Sequence, residues 1–541
     1  MPKGSLNMQQ QWNMRTFMKG AAMLAAAGII VKILSAVYRV PFQNLVGDKG
    51  FYIYQQVYPF IAIIMVWTSS GFAVAISKMM ADRDRTEAGQ VMRIAFFYVA
   101  FVSGLAFLVL FAGADLITGW MGDRALAPLL RTGSLVILLM PLLTVIKGAF
   151  QSQGRMGPVA GAQIAEQAVR VLVILAGTWI VVSAGASLYT AGRAAMWGTV
   201  TGELAGVVLL LLLYRKWADR PEPGIRASVP VWPAVRELTA VSLAASLSSL
   251  ILLFFQLIDS FTMFNLMTSS GFAREAAMEA KGVYDRGQPL VQMGILIAST
   301  LSLTIVPLVA AHSAKTTGRT AEPFVQLAWR IAFLFGWAAS LGLILVMPYV
   351  NEMLFETRAG SAALMMFCAQ IFWLSLILPI TAVLQGLGRV KIPALLLFAG
   401  LALKAAANAV LVPRMGIMGA AVAGNIGFAA ATLGLVIYFR QVWPVRLADG
   451  RFYRVIAAAS VLMAGVLIPW MVLSDGWIFD GLPSRAAAAL TGLTSVAAGA
   501  PLFLAVIAKS RILSEKEWYL LPGGRHLAAL QLYLNQDRKR K

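Results

Sequence analysis

Two cations stand inside the first long apolar run of the chain, where a membrane-spanning helix is expected. Lys32, Ser35 and Arg39 are spaced by three and four residues, which places them on one face of a helix. A charge in the hydrocarbon costs about 3 kcal/mol, so it marks a cavity or a paired contact. This face therefore predicts contact with an anion or with a carboxylate of another helix. The alternative is that both side chains reach the outer membrane surface, and Arg39, at the helix end, is expected nearer to water.

One acidic residue, Asp259, lies in an apolar run with no basic residue within one helical turn. Its partner is therefore expected to be Lys32, Lys404, a bound cation or a proton. Lys404 precedes Asn408 by one turn, so both face the same way. An Asp259–Lys404 ion pair with a purely structural role is the competing interpretation.

Glu166 and Arg170 are four residues apart with the acid first, the favourable order for an ion pair within one helix. We interpret this pair as structural, and Glu203 is expected to complete the network. Amides also occur in or beside the apolar runs, and they are Gln55, Gln56, Gln256, Gln288 and Gln292. Amides suit sugar hydroxyls in a cavity and equally suit hydrogen bonds between helices, so both interpretations stay open.

The composition fixes the class of protein that must position these residues. Of 541 residues, 59% are hydrophobic and 13% are charged, with mean hydropathy +0.75, whereas soluble domains carry about 25% charged residues. This excludes a cytosolic enzyme and predicts an all-α integral membrane protein. A spanning helix needs about 20 apolar residues. Fourteen runs qualify, at 18–38, 53–77, 92–111, 126–149, 159–183, 190–213, 238–266, 289–311, 324–347, 361–385, 392–412, 416–439, 453–473 and 486–508.

Basic residues are distributed unequally between the two sides of these spans. With the N-terminus inside, and with basic residues just inside a span end counted with the adjoining loop, the inner segments hold 30 lysines and arginines and the outer loops hold 10. This bias predicts that both termini are cytoplasmic. The net charge of +21 is thus a topology signal that needs no nucleic acid partner, and the tail 538–541 should favour anionic lipid headgroups. The first run is interpreted as an uncleaved helix, since no small-residue cleavage site follows it.

Residue types that carry catalysis or metal binding are scarce. The chain has two histidines and one cysteine, Cys368, which excludes an internal disulfide and a histidine-rich metal site. Neither a Walker A motif nor a Gly-x-Ser-x-Gly motif occurs. We therefore expect no enzyme activity, no metal and no cofactor.

The second half of the chain repeats the first at an offset near 230 residues. Gln151–Arg155 corresponds to Gln385–Arg389, 234 residues later, and Pro59 corresponds to Pro289. Further matches follow in the same order. Six spans in each repeat make the repeats parallel, related by an axis along the membrane normal.

This repeat predicts four parts of the chain. They are an N-lobe at 1–222 (spans 1–6), a cytoplasmic linker at 223–237, a C-lobe at 238–445 (spans 7–12) and a segment at 446–541 with spans 13 and 14 and the basic tail. A two-lobed transporter holds its substrate between the lobes, and we expect alternating access by rocking of the lobes.

Two halves of six spans plus two extra spans resemble the multidrug/oligosaccharidyl-lipid/polysaccharide (MOP) exporter superfamily. The opening is similar to its branch of polysaccharide biosynthesis and stage V sporulation B proteins. The residues concerned are Lys19–Ala22, Val37–Pro41, Gly47–Gly50, Gly71–Lys78 and Gln385–Arg389. The resemblance covers nearly the whole chain through many moderate matches.

The resemblance implies a flippase for undecaprenyl-diphosphate-linked saccharides, a group that includes MurJ-type lipid II flippases. In such proteins basic residues of the first span meet the diphosphate, a role that would fall to Lys32 and Arg39. Spans 13 and 14 there form a groove for the lipid tail. Some members hold a cation with spans 7 and 11, and Asp259 and Asn408 match, but Lys404 stands where an acid is expected.

Two other functions compete with the flippase. A drug/cation antiporter of the same superfamily would not need spans 13 and 14, and a membrane glycosyl- or acyltransferase would need an acid/base cluster that the spans lack. We expect a monomer in the bacterial cytoplasmic membrane that acts on a lipid-linked oligosaccharide among membrane lipids. The saccharide, the coupling to a proton, a cation or the membrane potential, and a vegetative or sporulation role stay open.

Overall fold

The chain is helical in the part that a computed structural model describes, which is residues 23–535 without 25, 82, 218–228, 297, 301–321, 444–445 and 520–523. No strand occurs among these residues, and the predicted all-α class is confirmed. Two compact units form, Met1–Asp285 and Arg286–Lys541. The first unit includes residues 238–269, which the sequence assigns to the second repeat. The unit boundary therefore differs from the repeat boundary, and the predicted lobe boundaries stay a prediction.

The described helices of the first unit include five of 28 residues or more, long enough to cross a membrane. The bounds are α1 (26–37), α2 (Arg39–Val66), α3 (Ala73–Ala81), α4 (Arg85–Ala112), α5 (Ala114–Trp120), α6 (Ala127–Ser134), α7 (Met140–Ser152), α8 (Met156–Ser183), α9 (Leu188–Trp217), α10 (Val231–Ser269) and α11 (Arg274–Asp285). A π-helical turn at Trp67–Phe72 joins α2 to α3.

The second unit contains ten described α-helices. They are α12 (Gly287–Gly294), α13 (Glu322–Phe355), α14 (Ser361–Cys368), α15 (Gln370–Gly386), α16 (Lys391–Met415), α17 (Ile417–Val442), α18 (Gly450–Leu473), α19 (Ser484–Ser510), α20 (Glu515–Trp518) and α21 (Gly524–Leu534). Apolar side chains of α13, α18 and α19 build one core cluster, which also includes Trp518 and Ala528.

A glycine breaks the first long helical stretch. The stretch Ala26–Ala81 has 56 residues and would measure about 84 Å if straight, far more than the hydrocarbon thickness of about 30 Å. Gly47 interrupts α2 with φ 67° and ψ −177°, a backbone conformation that residues other than glycine rarely adopt. Helix α11 packs against α2 at this break with no room for a side chain at Gly282. A Cβ added there would lie 2.1 Å from the carbonyl oxygen of Asp48.

Twelve helical stretches of the described residues are long and apolar enough to span a membrane. Ala26–Ala81 contains the predicted span 53–77 and residues 26–38 of the predicted span 18–38. The predicted span 289–311 lies largely outside the described residues. The multi-pass architecture is therefore confirmed, and the count of fourteen stays a prediction.

The two sequence repeats share a helix end. Helices α7 and α15 both terminate at a glycine with positive φ, Gly154 (70°) and Gly388 (74°). In each case the arginine that follows donates its backbone N–H to the carbonyl five residues back, Arg155 to Phe150 at 2.9 Å and Arg389 to Leu384 at 2.8 Å. This is the Schellman pattern, and it explains why the glycine recurs at both positions.

Helices α8 and α9 approach each other closely through glycines. A Cβ on Gly202 would lie 2.6 Å from the Cβ of Arg170 and 2.8 Å from the carbonyl oxygen of Glu166. A Cβ on Gly198 would likewise lie 2.8 Å from the backbone nitrogen of Ile174. Small residues permit this approach in membrane helices. The contact brings Glu203 on α9 to the charged face of α8.

Candidate functional site

Arg39 lies buried at the start of α2, with 2% of its surface exposed. Its guanidinium stands over the ring of Tyr58 at 5.3 Å, and the hydroxyls of Tyr38 and Tyr54 are 3.1 Å apart beside it. The Nε and Nη1 atoms of Arg39 have no hydrogen-bond partner among the described residues. A buried donor without a partner is costly, so these two atoms are suited to bind an anion.

Lys32 has a different environment from Arg39, although both lie on the predicted face. Lys32 is exposed, Ser35 is half-buried and Arg39 is buried. We expected Arg39 to lie nearer to water than Lys32; within the protein Arg39 is instead the more buried of the two, and its distance from water stays a prediction. The tyrosines of α2 and the helix α11 cover the helix end, which the apolar pattern of the first span alone does not reveal.

Helix α11 places a charged pair inside the first unit. The ammonium of Lys281 lies 2.7 Å from both carboxylate oxygens of Asp285, and both side chains are buried. Tyr284 donates its hydroxyl to Asp259 at 3.0 Å. Arg39 interacts electrostatically with Asp285, and burial raises the pKa of this carboxyl to about 6 despite the attraction of Lys281.

The sequence interpretation missed Lys281, Tyr284 and Asp285 because it placed them in an outer loop. A signal was present, since Lys281 and Asp285 stand four residues apart in a segment that also carries Ala277 and Met278 at helical spacing. Both apolar residues are buried in α11.

Ionic contacts hold α11 against the rest of the first unit. The carboxylate of Asp123 is fully buried and accepts hydrogen bonds from Arg274 at 2.6 Å and from Tyr189 at 2.7 Å. Lys49 forms a second pair with Glu275 at 2.6 Å. These contacts fix the helix whose last turn carries Lys281 and Asp285.

The charged residues of α8 and α9 form a network, as their spacing predicted. Arg170 uses the single atom Nη2 to bind Glu166 at 2.8 Å and Glu203 at 2.9 Å. Lys147, which the sequence interpretation did not include, lies 4.0 Å from Glu166. Two acids and two bases balance in charge. This balance favours the structural role that we predicted, which stays a prediction.

The five predicted amides divide between the two units. Gln56 donates to the carbonyl of Ser260 at 2.7 Å and so joins α2 to α10, which is a structural contact. Gln55 and Gln256 are also buried in the first unit. In the second unit Gln288 is buried and Gln292 is half-buried. Contact of these five amides with sugar hydroxyls stays a prediction.

Lys404 and Asn408 lie in the second unit, both buried in α16. Asp259 belongs to the first unit and already accepts the hydroxyl of Tyr284. The predicted pairing of Asp259 with Lys404 and a cation site at Asp259 and Asn408 therefore stay predictions.

The second unit contains an apolar cavity of about 370 Å³. Helices α13, α18 and α19 line it, and its walls include Phe335, Leu343, Met463, Leu467 and Phe503. Helices α18 and α19 correspond to predicted spans 13 and 14. A cavity of this size and polarity is suited to hydrocarbon.

Curated proteins similar to this chain come from Bacillus subtilis (strain 168). Membrane protein YabM is 37% identical over 531 residues, which covers 97% of each chain. Stage V sporulation protein B is 26% identical and covers 80% of this chain and 85% of its own length. The lipid II flippase MurJ is 23% identical and covers 90% of this chain and 94% of its own length.

Solved structures show the same fold at low sequence identity. The inward closed conformation of the lipid II flippase MurJ aligns with a TM-score of 0.66 and 13% identity, covering 89% of this chain and 98% of that one. An inward-facing MATE multidrug resistance transporter of the MOP superfamily aligns with a TM-score of 0.63 and 15% identity, covering 76% and 94%. The fold is that of MurJ and MATE transporters, as the sequence resemblance implied.

Residues 17–313 match the family described as polysaccharide biosynthesis protein, and this match covers more than half of the chain. The relation to YabM extends the likeness over nearly the full length. This chain belongs to the polysaccharide biosynthesis protein family.

Proposed function

We propose that this protein is a flippase that moves an undecaprenyl-diphosphate-linked saccharide, lipid II or a related cell-wall precursor, across the cytoplasmic membrane by alternating access. The observation that carries this proposal is the buried guanidinium of Arg39 with two unpaired donors. The related lipid II flippase MurJ and the family to which the chain belongs support the same substrate class.

The headgroup of such a lipid needs a fixed cation on its path. A diphosphate carries about two negative charges and loses water as it enters a protein, and charge-assisted hydrogen bonds offset that cost. Arg39 offers Nε and Nη1 as donors without a hydrogen-bond partner among the described residues, and a guanidinium donor forms charge-assisted hydrogen bonds to phosphate oxygens. Lys32, exposed on the preceding turns, is the second ligand in this proposal.

The lipid tail needs an apolar surface beside the helices. The cavity between α13, α18 and α19 has apolar walls and a volume of about 370 Å³, which suits part of a prenyl chain. A drug/cation antiporter is the second candidate, because a MATE transporter shares the fold. The flippase is favoured because α18 and α19, which a twelve-span antiporter does not need, build this cavity.

The test is reconstitution of the purified protein in liposomes with labelled lipid II, a second diphosphate-linked oligosaccharide and a neutral glycolipid. We expect the two diphosphate lipids to be moved and the neutral lipid to stay. Arg39→Gln should weaken lipid II binding roughly 10- to 150-fold, since a charge-assisted contact contributes about 1.5–3 kcal/mol. Arg39→Lys and Lys32→Arg should retain part of the activity, and Lys32→Ala should fail to complement a flippase-deficient strain.

The matched control is Arg131→Gln, which removes one half-buried cation that pairs with the exposed Asp115. This variant should move lipid II at the wild-type rate. The exposures lead us to expect a larger loss for Arg39 than for Lys32. Full transport by well-expressed Arg39→Gln, or transport of a cationic drug that depends on Arg39 while lipid II stays in place, would contradict the flippase.

A further inference from the structure

The guanidinium of Arg170 uses only part of its hydrogen-bonding capacity in the ion pairs of α8 and α9. Its atom Nη2 donates to both Glu166, at 2.8 Å, and Glu203, at 2.9 Å. Its atom Nη1 donates to the side-chain oxygen of Gln167 at 3.4 Å. Its atom Nε is enclosed by the protein and has no hydrogen-bond partner among the described residues. Two carboxylates thus hold the arginine in place and leave one of its donors unused.

The amide of Gln167 adds a second unused donor on the same helix. Gln167 is 1% exposed, and its Nε2 has no hydrogen-bond partner in the part of the chain that the structure describes. Exchanging the oxygen and nitrogen of this amide does not remove the mismatch, because a guanidinium only donates and the amide oxygen must face Arg170. Buried donors without an acceptor are unfavourable, so both atoms are suited to a ligand that brings oxygen atoms.

Arg170 and Arg39 lie beside the same pair of tyrosines. Helix α8 packs against α2, and Arg170 interacts electrostatically with Tyr54 and Tyr58. The guanidinium of Arg39 stands over the ring of Tyr58, and the ring centroids of Tyr54 and Tyr58 are 5.9 Å apart. The unused donors of α8 therefore belong to the surroundings of the candidate anion site.

The charge balance of α8 and α9 indicates which part of a ligand these donors suit. Lys147 and Arg170 offset the charges of Glu166 and Glu203, so the network has no net charge. A neutral network attracts an anion only weakly, but its donors still bind uncharged oxygen atoms. The hydroxyl and acetamido oxygens of a sugar are acceptors of this kind, whereas a diphosphate suits Arg39.

We propose that Nε of Arg170 and Nε2 of Gln167 bind oxygen atoms of the sugar next to the diphosphate, an inference that rests on the proposed flippase function. Glu166 and Glu203 are then positioning residues, because they fix the guanidinium that offers Nε. The donors of α8 thus select the saccharide, while Arg39 binds the phosphates.

The test compares two lipids that differ only in the saccharide, undecaprenyl diphosphate and the undecaprenyl-diphosphate disaccharide without a peptide. The measurement is the dissociation constant of each lipid for the purified full-length protein in detergent. Gln167→Met removes the amide donor at similar size, and Arg170→Lys keeps a cation for both acids but removes Nε.

Both variants should bind the disaccharide lipid more weakly than the wild type does. We expect a loss of roughly 3- to 10-fold for Gln167→Met and of about tenfold or more for Arg170→Lys, whose donor is charged. Binding of undecaprenyl diphosphate should change by less than about twofold in both variants. Arg39→Gln should instead weaken the binding of both lipids.

The matched control is Gln163→Met, which changes a half-buried amide one turn earlier on α8. It should bind both lipids as the wild type does. The melting temperature of each variant is measured as well, because a purely structural role would lower it and leave the ratio of the two dissociation constants unchanged. If Arg170→Lys does not fold, Gln167→Met decides the test.

Two results would overturn this inference and leave the flippase proposal intact. One is unchanged binding of the disaccharide lipid by the folded variants. The other is an equal loss for both lipids, which would assign the donors of α8 to the phosphates. A wild-type protein that binds neither lipid would contradict the flippase proposal and this inference together.

Discussion

The buried side chain of Arg39 is the main reason to expect that the first unit binds an anion. Its Nε and Nη1 donors have no hydrogen-bond partner among the described residues, whereas the buried Lys281 forms an ion pair with Asp285. Burial raises the pKa of the Asp285 carboxyl to about 6, close to physiological pH. Its protonation removes a negative charge that interacts with Arg39 and leaves the site more attractive to an anion.

This charge balance predicts a pH dependence of substrate binding. As the pH falls through about 6, Asp285 becomes neutral, so the affinity for a diphosphate lipid should rise by roughly tenfold per 1.4 kcal/mol of repulsion removed. The measurement is the dissociation constant of lipid II for the purified protein at pH 5 and pH 8. In Asp285→Asn the carboxylate is absent, so the ratio of the two constants should reflect the titration of the ligand alone. Equal ratios in both proteins would contradict the assignment.

Residue types and spacing predicted part of this site. The ion pair of Arg170 with Glu166 and Glu203 follows from the i, i+4 rule and a nearby acid, and both contacts form. The sequence did not predict the burial of Arg39. That burial depends on tyrosines of α2 and on α11, which lie far from Arg39 along the chain, so the periodicity of the first span does not show them. Lys281 and Asp285 were missed because a charged segment between apolar runs is typical of a loop.

At the scale of elements, glycines decide which helices meet closely. Gly198 and Gly202 let α9 approach the backbone of α8, and the same contact positions Glu203 against Arg170. Apolar periodicity predicted both helices with bounds close to those observed. It could not predict their distance, because that distance depends on the absence of a side chain at two positions.

Gly202→Ala should therefore destabilise the protein. The new methyl group would lie 2.6 Å from the Cβ of Arg170, and overpacking of this kind costs about 1–3 kcal/mol. The expected result is a lower melting temperature in detergent. The control is Gly161→Ala on α8, where no atom lies within 4 Å of the added carbon. Equal melting temperatures of Gly202→Ala and the control would contradict this prediction, because they would mean that α8 and α9 accommodate the methyl group without cost.

At the scale of the whole molecule, the sequence predicted the class, the repeat and the approximate spans. The family and the MurJ-like fold confirm the resemblance, and the paired Gly154 and Gly388 turns give the repeat a structural basis. The division into two compact units at Asp285 did not follow from the repeat, because α10 packs chiefly against α2, the π-helical turn and α3 of the first unit. Hydropathy carries no information about such packing.

The charge bias of the loops predicts the orientation. A reporter fused after Lys541 should be active in the cytoplasm, and one inserted at the exposed turn near Ser270 should be active outside. The measurement is a paired reporter assay with one enzyme that is active only in each compartment. An external C-terminus would require an odd number of spans and would disprove two parallel repeats with two added helices.

Cys368, the single thiol of the chain, is completely buried at the end of α14. A maleimide added to the folded protein should leave it unmodified, so the natural sequence already serves as a background for site-directed labelling. Cysteines introduced at the exposed positions Ser270 and Ser484 would place one spin label in each unit. Electron resonance would then give the distribution of distances between the units with and without substrate, while any reaction of Cys368 would report unfolding.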